Sequence, residues 1–453
     1  MITNHQKNTW RTLLRNKQFT FLNLIGLSTG LATAVLIFLW VSDEMQVDKF
    51  NKKDSQLYKV LANMYSSNQV QTGHGTPYPL VAALKKDLPE VEDATSIGHF
   101  GDWYEGDGIA SAGDNHIKSK GMFASESFFN VFSYKLLEGN KDNVLSDKNG
   151  VVLSERLAIK LFNTTENLIG KPLQWQHRMK FEGPLHISGI VENSPANSTI
   201  QFNIIFNYNL LLEKERNAGE WTGSYSDTYL ILKKGTDVQQ FNKKIAGYAR
   251  GTDPDSKNSY FIERFSKLYL YGQYENGEQV GGRIQYVKLF SLIALFILLI
   301  ACINFMNLST AQASKKMKEI GVKKTIGASR KTLVFQFIVE SVFMAFLALF
   351  LAMLIVALLL PRFNVITGKA IQLTFYPEFV LTLIAIALFT GLLSGFYPAF
   401  YLSSFNPTTV LKGKLPTSIG ELWVRKGLVV FQFSLSVIFI VVFVVIKKQM
   451  DLI

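Results

Sequence analysis

This chain is almost without cysteine, and over long stretches it is without charge. One cysteine in 453 residues, Cys302, excludes an internal disulfide and any framework of paired cysteines. It also excludes a C-x-x-C redox or zinc motif. No G-x-x-x-x-G-K-[ST] phosphate loop occurs, so the chain is not expected to bind and hydrolyse ATP by itself. H-E-x-x-H is missing too, and His5, His74, His99, His116, His177 and His186 show no metal-ligand spacing. Asp102, Glu105, Asp107 and Asp114 cluster in a Gly-rich stretch. A solvated loop is the expected reading there, with a calcium site as the alternative. No catalytic, cofactor-binding or metal-ligating residues are expected.

Charge is missing from five apolar runs: Phe19–Val41, Leu289–Ser314, Ser341–Pro361, Phe379–Leu411 and Gly427–Ile446. Each is long enough to cross the roughly 30 Å hydrocarbon core as a helix. The expected fold class is therefore membrane α-helical, with about five transmembrane helices. Between the first two runs lies the polar segment Ser42–Val287, large enough for a core of its own in two subdomains. The first run is too long for a signal-peptide apolar region, and Trp40–Glu44 is a poor cleavage site. It reads as an uncleaved anchor.

Acidic residues are scarce in three short segments. Residues 1–20 carry Lys7, Arg11, Arg15 and Lys17 with no acid. Residues 311–332 carry seven Lys or Arg against Glu319, and residues 403–427 carry four against Glu421. These segments hold essentially all of the chain's net charge of +12. Short loops rich in Lys and Arg stay in the cytoplasm. The N-terminus and both loops are expected inside, and Ser42–Val287 outside. The basic balance is thus a topology signal, and no nucleic-acid partner is expected.

Residues 4–18 read as a basic amphipathic helix at the inner interface, with Trp10, Leu13 and Leu14 on one face. In the outer segment, Thr76 is expected to cap a helix carrying Leu80, Leu84 and Leu88 and stopped by Pro89. Gly150–Leu153 reads as a strand, Ser154 as the cap of a helix Glu155–Phe162, and His186–Val191 and Thr228–Leu232 as further strands. The outer segment is expected to be α+β.

The loop Ala311–Thr332 is punctuated. A helix is expected to Ile326 with Met317 and Ile320 on one side, ended by Gly327, and Ser329 caps the next helix, which runs into the third span. A bare lipid anchor would not need that punctuation. Asn304 and Asn307 within the second run are expected to hydrogen-bond between helices, with substrate contact as the alternative. Glu340 is expected at the inner interface or paired between helices. Trp423–Lys426 before the fifth run echoes Trp10–Arg15 before the first.

At Glu319-Ile320-Gly321-Val322-Lys323-Lys324-Thr325-Ile326-Gly327-Ala328-Ser329-Arg330 the chain resembles the FtsX/MacB-like permeases of ABC transporters. Lys323 stands where Arg is common in that signature, which keeps charge but loses the planar fork. Asn304–Ala311 is similar to longer-chain members common in Bacteroidota, and Gly395-Phe396-Tyr397-Pro398-Ala399 with Asn406-Pro407 resembles a second family motif. Val151–Glu155, Ala158, Leu161-Phe162, Ile169–Lys171 and Gly189–Val191 to Pro195 are similar to the MacB-like periplasmic core domain.

The resemblance implies a domain order. Residues 1–18 form the cytoplasmic helix, 19–41 the first span and 42–287 the periplasmic domain. Residues 288–410 are the permease domain with spans two to four, 411–426 a cytoplasmic linker, and 427–453 a fifth span that starts a second repeat. It implies a bacterial inner-membrane permease of the mechanotransmission type, itself no enzyme and with no cofactor of its own. ATP and magnesium would sit on a separate ABC ATPase dimer. Its implied partners are that ATPase, the lipid bilayer, a second permease half or a homodimer partner, and a periplasmic adaptor. The implied ATPase contact is Glu319, Ile320, Gly321, Val322, Lys323, Lys324, Gly327, Ala328, Ser329 and Arg330. Lipid or lipoprotein extraction, peptide or drug efflux, and activation of a cell-wall hydrolase all fit such a permease. From another class, a membrane-anchored sensor or regulator of a cell-envelope enzyme is the alternative.

Overall fold

The computed structural model describes residues 17–66, 69–98, 107–177, 184–215, 218–221, 226–249, 256, 258–311, 313–405 and 419–450. These residues form two compact units, Asp43–Tyr286 and the remainder.

The remainder is helical. Four helices are long and apolar enough to cross a membrane: Lys17–Gln46, Ile284–Ala311, Arg330–Thr367 and Pro377–Ser403. A fifth, Ile419–Met450, has its apolar stretch at Lys426–Val441. Helices surrounded by lipid gain little from burying apolar surface against each other, so close backbone approach does the packing. Small residues stand at the closest approaches: Ala345, Ala348 and Ala352 of the third helix share one core with Ala387 and Phe379 of the fourth and Leu27 and Leu31 of the first. A Cβ on Gly391 would sit 2.6 Å from the Val342 Cα, and one on Gly30 would sit 2.5 Å from the Ala301 Cβ. The amphipathic segment expected over residues 4–18 lies, up to residue 16, outside the described residues, as does Asn406-Pro407.

The inserted unit is α+β. Its strands are β1 (Leu57–Ser66), β2 (Gln69–Gly73), β3 (Val91–Gly98), β4 (Asp107–Ala112), β5 (Asn115–Ala124), β6 (Leu136–Glu138) and β7 (Gly150–Ser154). β8 (Pro172–Gln176), β9 (Leu185–Val191), β10 (Ile204–Asn207), β11 (Ser226–Leu232) and β12 (Ser259–Arg264) follow. These twelve form one sheet of order β10-β7-β9-β8-β4-β5-β3-β11-β1-β12, with β2 on β1 and β6 on β9, and strands Gln273–Glu275 and Glu278–Gly281 pair as a separate two-stranded sheet. β5 is the joint: it pairs with β3 at Ile97↔Ala124 and runs parallel to β10. To one side, β1, β3, β11 and β12 pack against helices Leu80–Asp87 and Val238–Ala246 through Leu80, Leu84, Phe241 and Ile245. To the other, β7, β9 and β10 pack against helix Glu155–Phe162 through Leu157, Ala158 and Leu161. A third core is aromatic, with Phe128 stacked on Tyr134 at 5.5 Å and in contact with Phe132 at 5.1 Å.

Local signals account for several of these boundaries. Ser154 Oγ accepts from the Leu157 N–H at 3.3 Å, which starts the expected helix. Asn163, in the left-handed region, ends it. Thr76 departs from expectation. It caps nothing, because its hydroxyl is buried against the Ser226 carbonyl at 2.8 Å and Thr228 Oγ1 at 2.8 Å. Its backbone bridges to Ser226, and the helix starts three residues after Pro77, at Leu80. Leu88 lies just past the last turn as the extended C-cap.

Candidate functional site

The punctuated loop forms a helix–turn–helix elbow. Its first arm is helix Ala313–Thr325 and its second is the 38-residue helix Arg330–Thr367. Gly327, at φ +100, makes the turn, and the Ala328 N–H donates back to the Lys323 carbonyl at 2.9 Å. Ser329 Oγ accepts from the Thr332 N–H at 3.2 Å and caps the long arm.

The short arm has two unlike faces. Inward, Met317 and Ile320 are buried with Leu333 and Phe337 of the long arm and with Ala399, Leu402 and Phe405 at the end of the fourth long helix. Lys324 Nζ donates to the Ser403 and Phe405 carbonyls at 2.7 Å each. It thereby satisfies acceptors that the end of a helix leaves open and sets a cation at the negative end of the helix dipole. Partial burial, and then the neighbouring Arg330 guanidinium, hold the Lys324 ammonium below its ordinary value. Arg330 Nε reaches Ser403 Oγ at 3.5 Å.

Outward, Glu319 pairs with Lys323 at 2.7 Å one turn along. Lys323 also donates to Gln336 Oε1 at 3.2 Å. Val322 and Ile326 lie one turn apart, 48% and 81% exposed. Of the ten residues expected at a partner contact, Ile320 and Gly321 are buried and Lys324 is spent on the fourth helix. Glu319, Val322, Lys323, Ser329 and Arg330 share the accessible side, with Ala328 half-buried at the turn. Ile326 is absent from that set of ten although it is the most exposed apolar side chain of the elbow. The signal for it was an apolar residue four positions after Val322 in an otherwise basic helix.

Other candidates resolve into local roles. His116 Nδ1 lies 2.8 Å from Ser111 Oγ, His186 Nε2 lies 3.3 Å from Asp147, and His177 stacks on Trp175. Asp107 pairs with Lys118 at 3.1 Å, while Asp102, Glu105, His5 and His99 lie outside the described residues. Gly26-Leu27-Ser28-Thr29-Gly30 has the G-x-S-x-G spacing of a hydrolase nucleophile. It runs through the middle of the first long helix, where Ser28 Oγ donates to the Ile25 carbonyl at 3.1 Å, not at a strand-to-helix turn. Asn304 comes within 3.0 Å of where a Gly26 Cβ would be, so it packs between helices. Glu340 is half-buried and lines a small cavity with Asn23, Ser309 and Ser341.

Residues 20–248 match the MacB-like periplasmic core domain, and residues 291–407 match the FtsX-like permease C-terminal domain. Two proteins described as macrolide export ATP-binding/permease protein MacB are similar along the chain. The one from Photorhabdus laumondii is 20% identical over 424 residues, covering 89% of this chain and 59% of the relative. The one from Campylobacter jejuni strain 81-176 is 26% identical over 419 residues, covering 89% and 60%. The chain thus spans about three fifths of the length of these curated relatives. Among solved structures, a domain of a permease from Porphyromonas gingivalis matches with TM-score 0.40 at 20% identity, over 48% of this chain and 93% of that one. The periplasmic region of MacB from Actinobacillus actinomycetemcomitans matches with TM-score 0.34 at 17% identity, over 48% and 91%.

Proposed function

From the premise that this chain belongs to the FtsX/MacB-like family of ABC transporter permeases, we propose that it couples ATP hydrolysis on a separate ATPase to motion of its periplasmic domain. Its work is conformational, for export or extraction of a substrate. The clustering of Lys and Arg in short segments supports a topology in which the N-terminus and the elbow face the cytoplasm of a bacterial inner membrane. On this reading the ATP and magnesium sit on that ATPase, and residues 1–453 contain no phosphate loop of their own.

The observation that carries this reading is the two-faced short arm. Its inner face ties it to the third and fourth long helices through Ile320 and Lys324. Force on its outer face would therefore reach both helices as a unit. Its outer face offers an apolar pair, Val322 and Ile326, beside the Glu319–Lys323 ion pair. Apolar anchors with charged neighbours are what a specific protein contact uses. The test is co-purification of the full chain with its ATPase. Ile326→Asp and Glu319→Lys are expected to abolish or strongly weaken association, while the membrane unit keeps its thermal unfolding midpoint. Undiminished association and transport in both variants would sink the reading.

A further inference from the structure

A cavity of about 290 Å³ opens in the inserted unit, far in sequence from the elbow. Its floor is apolar and aromatic, with Met122, Ile200, Tyr229 and Phe265 all buried. Into that floor the sheet sets an ion pair: Lys59 of β1 lies 2.8 Å from Asp227 of β11, with side chains only 11% and 17% exposed. Lys59 and Tyr229 are direct cross-strand partners, and the ammonium lies 5.4 Å from the ring centroid. The Tyr229 hydroxyl donates to Asp227 Oδ2 at 3.3 Å.

A second carboxylate comes from Asp48, whose residue is 1% exposed and stands at φ +60. It accepts from the Thr199 N–H at 2.8 Å, the Thr199 hydroxyl at 2.6 Å and the Ser198 hydroxyl at 3.3 Å. The rim adds His74, Lys120 and Gln201. Lys120 is exposed, and its ammonium makes no hydrogen bond or ion pair among the described residues.

A sheet does not need these charges for stability. Replacing a buried ion pair by apolar residues of similar size is often neutral or favourable. Convergent charges over an apolar floor, in a hollow near the lower end of the about 300–1,000 Å³ range of ligand pockets, are instead what a small-molecule site contains. Both signs are present, which selects a ligand carrying both. Only one Lys59 donor is committed to Asp227 of the three an ammonium carries. Burial pushes the Asp48 carboxyl above its ordinary value, a cost that a ligand ammonium would offset. Partial burial and the Lys59 charge hold the His74 imidazole below its ordinary value, so at neutral pH it stands as an uncharged rim group.

We infer that this cavity is a periplasmic binding site for a small zwitterion bearing an apolar group, of amino-acid to dipeptide size. The carboxylate meets Lys120 and Lys59, the ammonium meets Asp48, and the apolar group rests on Tyr229 and Phe265. The site is independent of ATPase docking, so either reading can fail without the other.

Calorimetric titration of the full chain in lipid nanodiscs tests it, with the dipeptide glycyl-phenylalanine as probe. Saturable binding with one ligand per chain is expected. Acetylating the amine, amidating the carboxylate, or the substitution Lys120→Ala should each weaken it by about tenfold, the scale of one lost charge-assisted contact. Lys120→Ala removes no packed side chain, so its thermal unfolding should match the parent. Asp48→Asn, which keeps an oxygen acceptor and tolerates positive φ, should also fold and bind more weakly. Absence of saturable binding to the folded parent, equal affinity for either capped form, or unchanged affinity in Lys120→Ala would each overturn the proposal.

Discussion

The two units of this chain solve opposite packing problems. The inserted unit folds by taking apolar surface out of water, and it does so with bulk: Phe128, Phe132, Tyr134, Phe202, Tyr229 and Phe265 share one core. The membrane unit buries large side chains too, Leu27, Leu31 and Phe379 among them, but it leaves many others outside. Phe335, Phe350, Leu358 and Phe396 are all more than 60% exposed, facing the side where lipid is as apolar as they are. Where its helices approach most closely it uses Gly, Ala and Ser, such as Gly391 against Val342 and Gly395 against Ser341. Bulk therefore points inward in the inserted unit and both ways in the membrane unit, where small residues set the closest helix approaches.

The sharpest way to break that comparison is to truncate an aromatic of the inserted unit. Phe128 is fully buried among Phe129, Phe132, Tyr134 and Phe202. Phe128→Ala should cost about 3–5 kcal/mol, the range for a buried ring replaced by a cavity. Hydrogen exchange should loosen over β3, β5 and β11 while the long helices keep their protection. Equal loosening of the long helices would mean that the two cores are not separate.

Gly391→Ala makes the reverse change, adding a single methyl to the membrane unit. Its carbon would lie 2.6 Å from a backbone atom of the third helix, so the helices must part. About 1–3 kcal/mol is expected, read as a lower midpoint in detergent unfolding. Gly427→Ala, where nothing lies within 4 Å, is the control and should be neutral or slightly stabilising. If the two variants melt alike, close approach is not what holds these helices.

The smallest effect is expected at Lys324, where the units' logics meet in one side chain, charged yet turned inward. Lys324→Met keeps the stem and removes the donor to the Ser403 and Phe405 carbonyls. About 1 kcal/mol should be lost from the membrane unit. ATPase association should survive better than in Ile326→Asp. The opposite ranking would place the partner contact on the inner face and overturn the assignment of faces.

The elbow was legible in sequence because its signals are local. Gly327, Ser329 and the 3.6-residue spacing of Met317 and Ile320 each act within a turn or two of the chain. The strand–cap–helix run through Ser154 was readable for the same reason. Thr76 misled because its competitor, Ser226, is 150 residues away. A Thr-Pro pair carries a helix-start signal, but a buried hydroxyl needs a partner, and strand β11 supplied two before the helix could claim it.

What the amino-acid order determined alone was the division of labour along the chain: which stretches can enter lipid and which segment must build a core in water. Those follow from transfer free energies and charge, which sum residue by residue and need no neighbours. The tertiary structure decided which face of the elbow remains free, and that Lys59, Asp227 and Asp48 surround one hollow. Residues 48, 59, 199 and 227 meet only because β1 pairs with β11 and the Thr199 segment folds back onto Asp48. Pairing at that separation depends on loop closure and on the whole sheet's register, and no local run of residues encodes it.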